Sequence, residues 1–219
     1  MLSGAELIEW RADFYDGVLN EQKIEETIKA LRHIINDIPL IFTIRTDAEG
    51  GRIRISGANY ANLLTFVTGT GEADIIDVEL FKDGADIGEL VQDIHALGSL
   101  VIMSNHNFQK TPEKDEIIRR LCQMQELGAD LPKIAVMPNS PADVLSLLCA
   151  TEEMAMKHAT KPLVTMSMGG LGSISRLSGE IFGSSMTFGS AGKSSAPGQI
   201  SVSELKRCLQ TIHASLDKS

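Results

Sequence analysis

The stretch LPKIAVM, residues 131–137, decides the fold. Ile134, Ala135, Val136 and Met137 follow one another without a polar break, and Pro132 stands just ahead of them. A short run that is apolar on both faces fits a strand of a parallel sheet, buried on each side. Lys133 interrupts it, and a lysine is almost never fully buried without a partner or a task. The stretch therefore reads as a buried parallel strand that carries an amine for a purpose.

Similar runs recur at AELIEWR (5–11), LIFTIR (40–45), ADIIDVEL (73–80), SLVIMSNH (99–106), PLVTMSM (162–168) and MTFGS (186–190). Helical patterns lie between and after them, at 21–36, 57–69, 86–97, 113–128, 141–158, 173–183 and 202–216. Ser201 and Glu204 have the spacing of a capping box at the start of the last one. Strands alternating with helices imply an α/β fold with a parallel sheet. Seven such units are visible, whereas a closed (β/α)8 TIM barrel has eight. The chain opens almost directly on a strand, and MLSG resembles the tail of a helix. The expectation is a (β/α)8 barrel lacking its first βα unit, as one domain over residues 1–219. An open, doubly wound sheet of seven units is the alternative.

Bulk composition narrows the partners. The 219 residues are 43% hydrophobic and 22% charged, which is ordinary for a soluble globular chain. A net charge of −9 argues against nucleic acid and anionic membranes as partners. It leaves room for a small anion held by a few local arginines. The three cysteines, Cys122, Cys149 and Cys208, are widely spaced in helical patterns, so neither a disulfide framework nor a zinc site is expected. The N-terminus shows no basic segment followed by an apolar run, and no stretch is long and apolar enough to span a membrane. A cytoplasmic location is expected.

Successive strand residues point to opposite sides. Ile8 and Trp10 then share the face that packs under helices, while Glu9 and Arg11 share the other. The same alternation puts Arg45, Asp77, Glu79, His106 and Lys133 on the polar face, most of them near strand C-terminal ends. That is where barrel enzymes keep their active sites. Such a set is either a catalytic site or a network of ion pairs that braces the sheet, and for Asp77 and Glu79 both readings stand.

An amine removed from water favours its uncharged form, and a neutral amine in a pocket attacks a ketone to give a Schiff base. His106, at the end of the strand before that of Lys133, can move protons around the resulting iminium. Glu49, in the loop after Arg45, can orient an imidazole. The C-terminal third is rich in glycine and serine. There Arg176 is placed to hold a carboxylate bidentately, and residues 189–199 are placed to form a lid. No phosphate-binding G-x-x-x-x-G-K-[ST] occurs.

The segments ELIEWRADF (6–14), FTIRTDAEGG (42–51), SNHNF (104–108), KIAVMP (133–138), SMG (167–169), ISR (174–176), SGEIFGS (178–184), TFG (187–189) and SAPGQI (195–200) together resemble the type I 3-dehydroquinate dehydratase family. They run through nearly the whole chain in the family's order. The resemblance implies a (β/α)8 barrel, a cytoplasmic homodimer, and a lyase of the shikimate pathway that converts 3-dehydroquinate to 3-dehydroshikimate with no metal or organic cofactor. It makes Lys133 the Schiff-base nucleophile, His106 the acid/base and Glu49 its partner. It assigns Glu9, Arg11 and Arg45 to substrate binding, Met166 and Met168 to packing on the substrate ring, Arg176 to its carboxylate, and Phe188, Ser195 and Gln199 to the closing wall and lid. Two alternatives are weighed beside it. A class I aldolase would show a phosphate-binding loop in place of the carboxylate clamp. A catalytically impaired, truncated barrel would keep these residues without turnover.

Overall fold

Each strand expected from 5–11 to 162–168 is present in the computed structural model, which describes residues 4–192 and 196–216. The strands are β1 (Ile8–Arg11), β2 (Leu40–Thr43), β3 (Ile75–Glu79), β4 (Leu100–Asn107), β5 (Leu131–Val136) and β6 (Val164–Ser167). They form a sheet in chain order, β1 to β6. Parallel neighbours need a crossover, and helices supply it. Those helices are α1 (Glu21–Ile35), α2 (Gly57–Gly69), α3 (Ile87–Ala96), α4 (Lys114–Glu126) and α5 (Pro141–Glu153), followed by α6 (Ser173–Leu177), α7 (Gly179–Phe182) and α8 (Val202–Leu216).

The contacts group the residues into two compact units. The first comprises Glu6–Asn105 and Glu126–Asp130. Its strands β1, β2, β3 and β4 pair in parallel, and the register aligns Arg11 with Thr43, Thr43 with Asp77, and Glu79 with Ser104. This brings the polar alternates of four strands onto neighbouring positions. The apolar alternates pack on the other side, where Trp10 meets Phe42 edge-on with ring centroids 5.3 Å apart. Side chains cap the helices: Asn20 accepts from Lys23 N–H, Ser56 from Asn59 N–H and Asp86 from Glu89 N–H.

The second unit comprises Met1–Ala5, His106–Gln125 and Leu131–Ser219. The end of β4 enters it, and Asn107 O accepts from Met137 N–H at 2.9 Å, which sets β4 beside β5. In turn β5 pairs with β6, with Lys133 opposite Val164 and Ala135 opposite Met166. A full capping box starts α5. Ser140 Oγ accepts from Asp143 N–H, the Asp143 carboxylate accepts from Ser140 N–H, and Pro141 takes the first turn. Ser140→Ala is expected to cost ~1 kcal/mol, or a fall of about 2–4 °C in Tm by calorimetry.

Three expectations need correction, all in the second unit. MTFGS (186–190) is not a strand: only isolated bridges remain nearby, Leu163 to Ser184 and Ser190 to Ser201. The hydroxyl of Ser184 takes the Thr165 N–H at 3.0 Å and its neighbour Ser185 N–H bonds Leu163 O, so side-chain oxygen replaces part of a ladder. The helix expected at 173–183 is two short ones, interrupted at Ser178, whose hydroxyl donates back to Ile174 O at 2.8 Å. The helix expected at 141–158 is α-helical only to Glu153 and finishes as a wider π turn over Met154–His158.

Candidate active site

In the first unit a guanidinium organises the polar groups. Arg45 follows β2 and is 2% exposed. It donates to Asp77 Oδ1 at 2.8 Å, to Glu79 Oε1 at 3.1 Å and to Ser104 Oγ at 2.8 Å, and lies 3.5 Å from Glu49 Oε2. The Ser104 hydroxyl donates to Asp77 Oδ1 at 2.7 Å. Burial alone would lower the pKa of Arg45, but Asp77, Glu79 and Glu49 outweigh it and raise it above the usual value. Glu79 also accepts from the Thr46 N–H and hydroxyl, at 2.8 and 2.7 Å. The buried Tyr60 hydroxyl accepts from Glu79 N–H at 3.0 Å and donates to Asp77 O at 3.4 Å.

Glu49 ends a 3-10 turn (Asp47–Glu49) held tight against the strand it follows. Gly51 makes this possible, because a Cβ there would stand 1.8 Å from Arg45 O. Glu49 is 4% exposed, and Asn105 Nδ2 donates to its Oε1 at 2.8 Å. Burial, helped by Glu79 and Asp77, pushes its pKa up to about 8 against the pull of Arg45 and Asn105.

A stability test follows. The folded carboxyl keeps its proton up to about 8, whereas the unfolded one loses it near 4.5. Between those values the folded chain binds more protons, so this group's contribution to stability is full below the lower pH and is lost as pH rises through the higher. Glu49→Gln removes that loss and keeps an oxygen for Asn105, at the cost of the contact with Arg45. Its Tm should match wild type below pH 4.5 and exceed it by about 10 °C or more above pH 8, on the order of 5 kcal/mol. Equal melting across the range would show that Glu49 ionises as freely folded as unfolded.

Arg11 is clasped by Asp13 through two bonds of 2.7 and 2.9 Å and also lies over the Phe14 ring. Asp13 accepts from the backbone N–H of Arg45 and Arg52 as well, which ties β1 to the loop carrying Glu49. Glu9 accepts from the Thr43 hydroxyl at 2.9 Å.

The second unit holds the amine. Lys133 is 3% exposed, and its Nζ lies 4.3 Å from the centroid of the Phe188 ring. Ala135, Val164, Met166 and Met168 form a buried cluster against which Met137, Met186 and Phe188 pack. Arg176, on α6, is 1% exposed. It donates to Phe188 O and Pro197 O, each at 3.3 Å, and approaches Met166 Sδ at 3.6 Å. Among the described residues no carboxylate pairs with it, its Nε is buried without a partner, and burial pulls its pKa below the usual value. Arg176 also borders an open cavity of 450 Å³ lined by Ser184, Met186, Thr187 and Leu209, which holds none of the other candidate groups. His106, half-buried at the end of β4, stacks on Phe108 with centroids 6.4 Å apart.

The loop expected as a lid has tied ends, Ser190 N–H to Ile200 O at 2.8 Å and Val202 N–H to Ser190 O at 3.1 Å. It lies on the backbone after β6: Gly169 N–H donates to Pro197 O, and a Cβ on Gly198 would stand 2.3 Å from Gly169 O. Gln199 follows, half-buried, and Ser195 lies outside the described residues.

The structure thus gathers Arg45, Glu49, Asp77 and Glu79 in one unit, and Lys133, Phe188, Met166, Met168 and Arg176 in the other. Sequence reasoning missed Asp13, Thr46 and Tyr60 as organisers. Only Asp13 left a signal, an acid two residues after Arg11 at a strand end.

Comparison with known proteins finds relatives along nearly the whole chain. A family model described as Type I 3-dehydroquinase matches residues 2–216. The 3-dehydroquinate dehydratase of Clostridioides difficile (strain 630) is 53% identical over 212 residues, 97% of this chain and 83% of that protein. That of Klebsiella pneumoniae (strain 342) is 50% identical over 210 residues, 96% of this chain and 84% of its own. A crystal structure of type I 3-dehydroquinate dehydratase from Clostridium difficile with covalently modified comenic acid superposes with a TM-score of 0.93 at 53% identity, covering 98% of this chain and 85% of that one. The enzyme from Geobacillus kaustophilus HTA426 gives 0.92 at 39% identity, covering 96% and 82%. This chain belongs to the type I 3-dehydroquinase family.

Proposed function

We propose that the chain dehydrates 3-dehydroquinate to 3-dehydroshikimate in the shikimate pathway, through a Schiff base on Lys133. The observation that carries the reading is the pair of buried basic side chains in the second unit. Lys133 is an amine shut away from water beside an aromatic ring. Arg176 is a buried guanidinium with no carboxylate among the described residues and an unused Nε–H. A buried guanidinium with no carboxylate is costly, and an anionic ligand removes the cost. A keto acid offers a carboxylate to one and a carbonyl to the other.

In this reading the neutral amine of Lys133 adds to the ketone, and the carbinolamine takes a proton from His106 and loses water to give an iminium. His106 takes the proton from the carbon next to the imine, and the C–H electrons move onto the iminium nitrogen. The enamine so formed expels the β-hydroxyl, which leaves as water with a proton from His106. Addition of water to the remaining imine releases the enone and restores the amine. Glu49 supplies the carboxylate for these proton transfers. Glu9, Arg11 and Arg45 serve substrate binding, Met166, Met168 and Phe188 wall the ring, and Ser195 and Gln199 close over it. The relative from Clostridium difficile that carries covalently modified comenic acid supports a covalent route. The same reading makes the fold a (β/α)8 barrel and the working form a cytoplasmic homodimer. Sedimentation at a single protomer's mass would overturn the last point. Among the described residues no helix is long and apolar enough to cross a membrane. The aldolase alternative has no support, since the family match covers nearly the whole chain.

Incubation with 3-dehydroquinate and borohydride tests the reading. Intact mass should show one reduced adduct, peptide mapping should place it on Lys133, and enone absorbance should rise without borohydride. His106→Ala should still form the adduct, more slowly, while product formation falls by about 100-fold or more. A folded wild-type protein giving neither adduct nor enone would leave the impaired barrel as the correct description.

A further inference from the structure

Asn105 precedes His106 on β4, and within the first unit its side chain grips Glu49. The amide Nδ2 donates to Oε1 at 2.8 Å, with Asn105 5% and Glu49 4% exposed. The other oxygen, Oε2, lies 3.5 Å from Arg45, whose closer bonds go to Asp77, Glu79 and Ser104. A guanidinium shared in this way is a weaker anchor for Glu49 than a short bond from a buried amide. The amide end facing Glu49 can only donate, so it favours the carboxylate over the carboxylic acid. Around Glu49, Arg45 favours the ionised form as well, whereas burial, Glu79 and Asp77 oppose it. Asn105 thus leans on a balance that stands close to neutrality.

We propose that Asn105 is a positioning residue for the dehydration: its amide fixes the orientation of Glu49 and favours the ionised carboxylate that the proton transfers require. The proposal rests on the reading that Glu49 takes part in the reaction. It adds a residue that no substrate contact would reveal, and it explains why one strand carries Ser104 for Arg45, Asn105 for Glu49 and His106 for proton transfer.

The test uses the full chain with carboxyl-labelled glutamate, following Glu49 by NMR against a Glu49→Gln spectrum that assigns its signal. In Asn105→Ala the titration midpoint of Glu49 should rise by about one pH unit. The acidic limb of kcat/KM should rise with it, so that activity at pH 7 falls about tenfold and recovers in more alkaline solution. Asn105→Ser, which keeps a donor and is the safer variant for folding, should move both in the same direction by less. A midpoint that stays put in both variants overturns the proposal. Loss of activity by the same factor at every pH also overturns it, because that is what mere loss of packing would do. A midpoint that moves while the kinetic limb does not would remove Glu49 from the reaction, and with it the catalytic part of Asn105. A wild type whose Lys133 forms no adduct would instead sink the underlying reading.

Discussion

Lys133→Met is expected to lower kcat for dehydration by at least ~1,000-fold, the scale seen when a covalent nucleophile is removed, while the protein melts within a few degrees of wild type. Methionine keeps an unbranched stem of similar length in the space beside Phe188 and lacks only the amine. Two opposing effects act on stability. The cation–π contact is lost, at about 1 kcal/mol or less. A buried amine is also exchanged for a thioether, which lowers the cost of burial and offsets part of that loss. In the proposed mechanism catalysis has no such compensation, because the iminium that acidifies the neighbouring carbon forms on Lys133. Arg176 is untouched, so the carboxylate of the substrate should still bind. The signature is therefore a collapsed kcat, retained substrate affinity and no borohydride adduct by mass. Turnover within tenfold of wild type would end the Schiff-base account, whatever the rest of the site does.

That Lys133 stands out in the sequence follows from contrast. A charged residue inside an apolar strand has few structural reasons to be there, and burial at 3% exposure bears out its seclusion. The helices were legible for a similar reason. Helix α2 spans Gly57–Gly69 and α8 spans Val202–Leu216, the bounds expected from pattern and capping alone. At the start of α8 the Ser201 hydroxyl accepts from Glu204 N–H at 3.4 Å and donates to its carboxylate at 2.6 Å, a variant of the capping box its spacing suggested. Alternation along β3 correctly set Asp77 and Glu79 on one face with Arg45. It could not tell that Asn105, which points away from that face by simple alternation, would meet Glu49, because the turn after Arg45 brings the carboxylate round to it. Tyr60 was illegible because it sits on a helix that is apolar nearly all round, where one hydroxyl leaves no periodic mark. The missing seventh strand failed for a local reason as well. Ser184 and Ser185 satisfy their neighbours through short side-chain and backbone bonds, and a pattern of alternating polarity carries no warning of that.

The second large effect concerns stability. Arg45→Met is expected to destabilise the protein by about 3–5 kcal/mol at pH 7, the usual result of removing one partner from a buried ionic cluster. In a chain of this size that is a fall of about 10 °C in Tm. Methionine can fill much of the volume of Arg45, so the loss is electrostatic rather than a cavity. Three buried carboxylates, Asp77, Glu79 and Glu49, would lose the cation they share, and Ser104 would lose its donor. Without that cation, burial holds Glu49 in its protonated form still more firmly in the fold than in the unfolded chain. The folded variant then binds more protons than the unfolded one at neutral pH, so its stability is greatest in acid and falls as pH rises. The deficit relative to wild type should therefore shrink toward pH 5 and widen toward pH 9 in denaturant titrations. A triple variant, Arg45→Met with Asp77→Asn and Glu79→Gln, should recover a large part of the loss at pH 7, because Asp77 and Glu79 are then replaced by neutral amides and Glu49, which holds its proton up to about 8 even beside Arg45, carries no charge. If the single variant were instead as stable as wild type at pH 9, the cluster would have to be reached by water or ions that neutralise it, and Arg45 would be free to serve substrate alone.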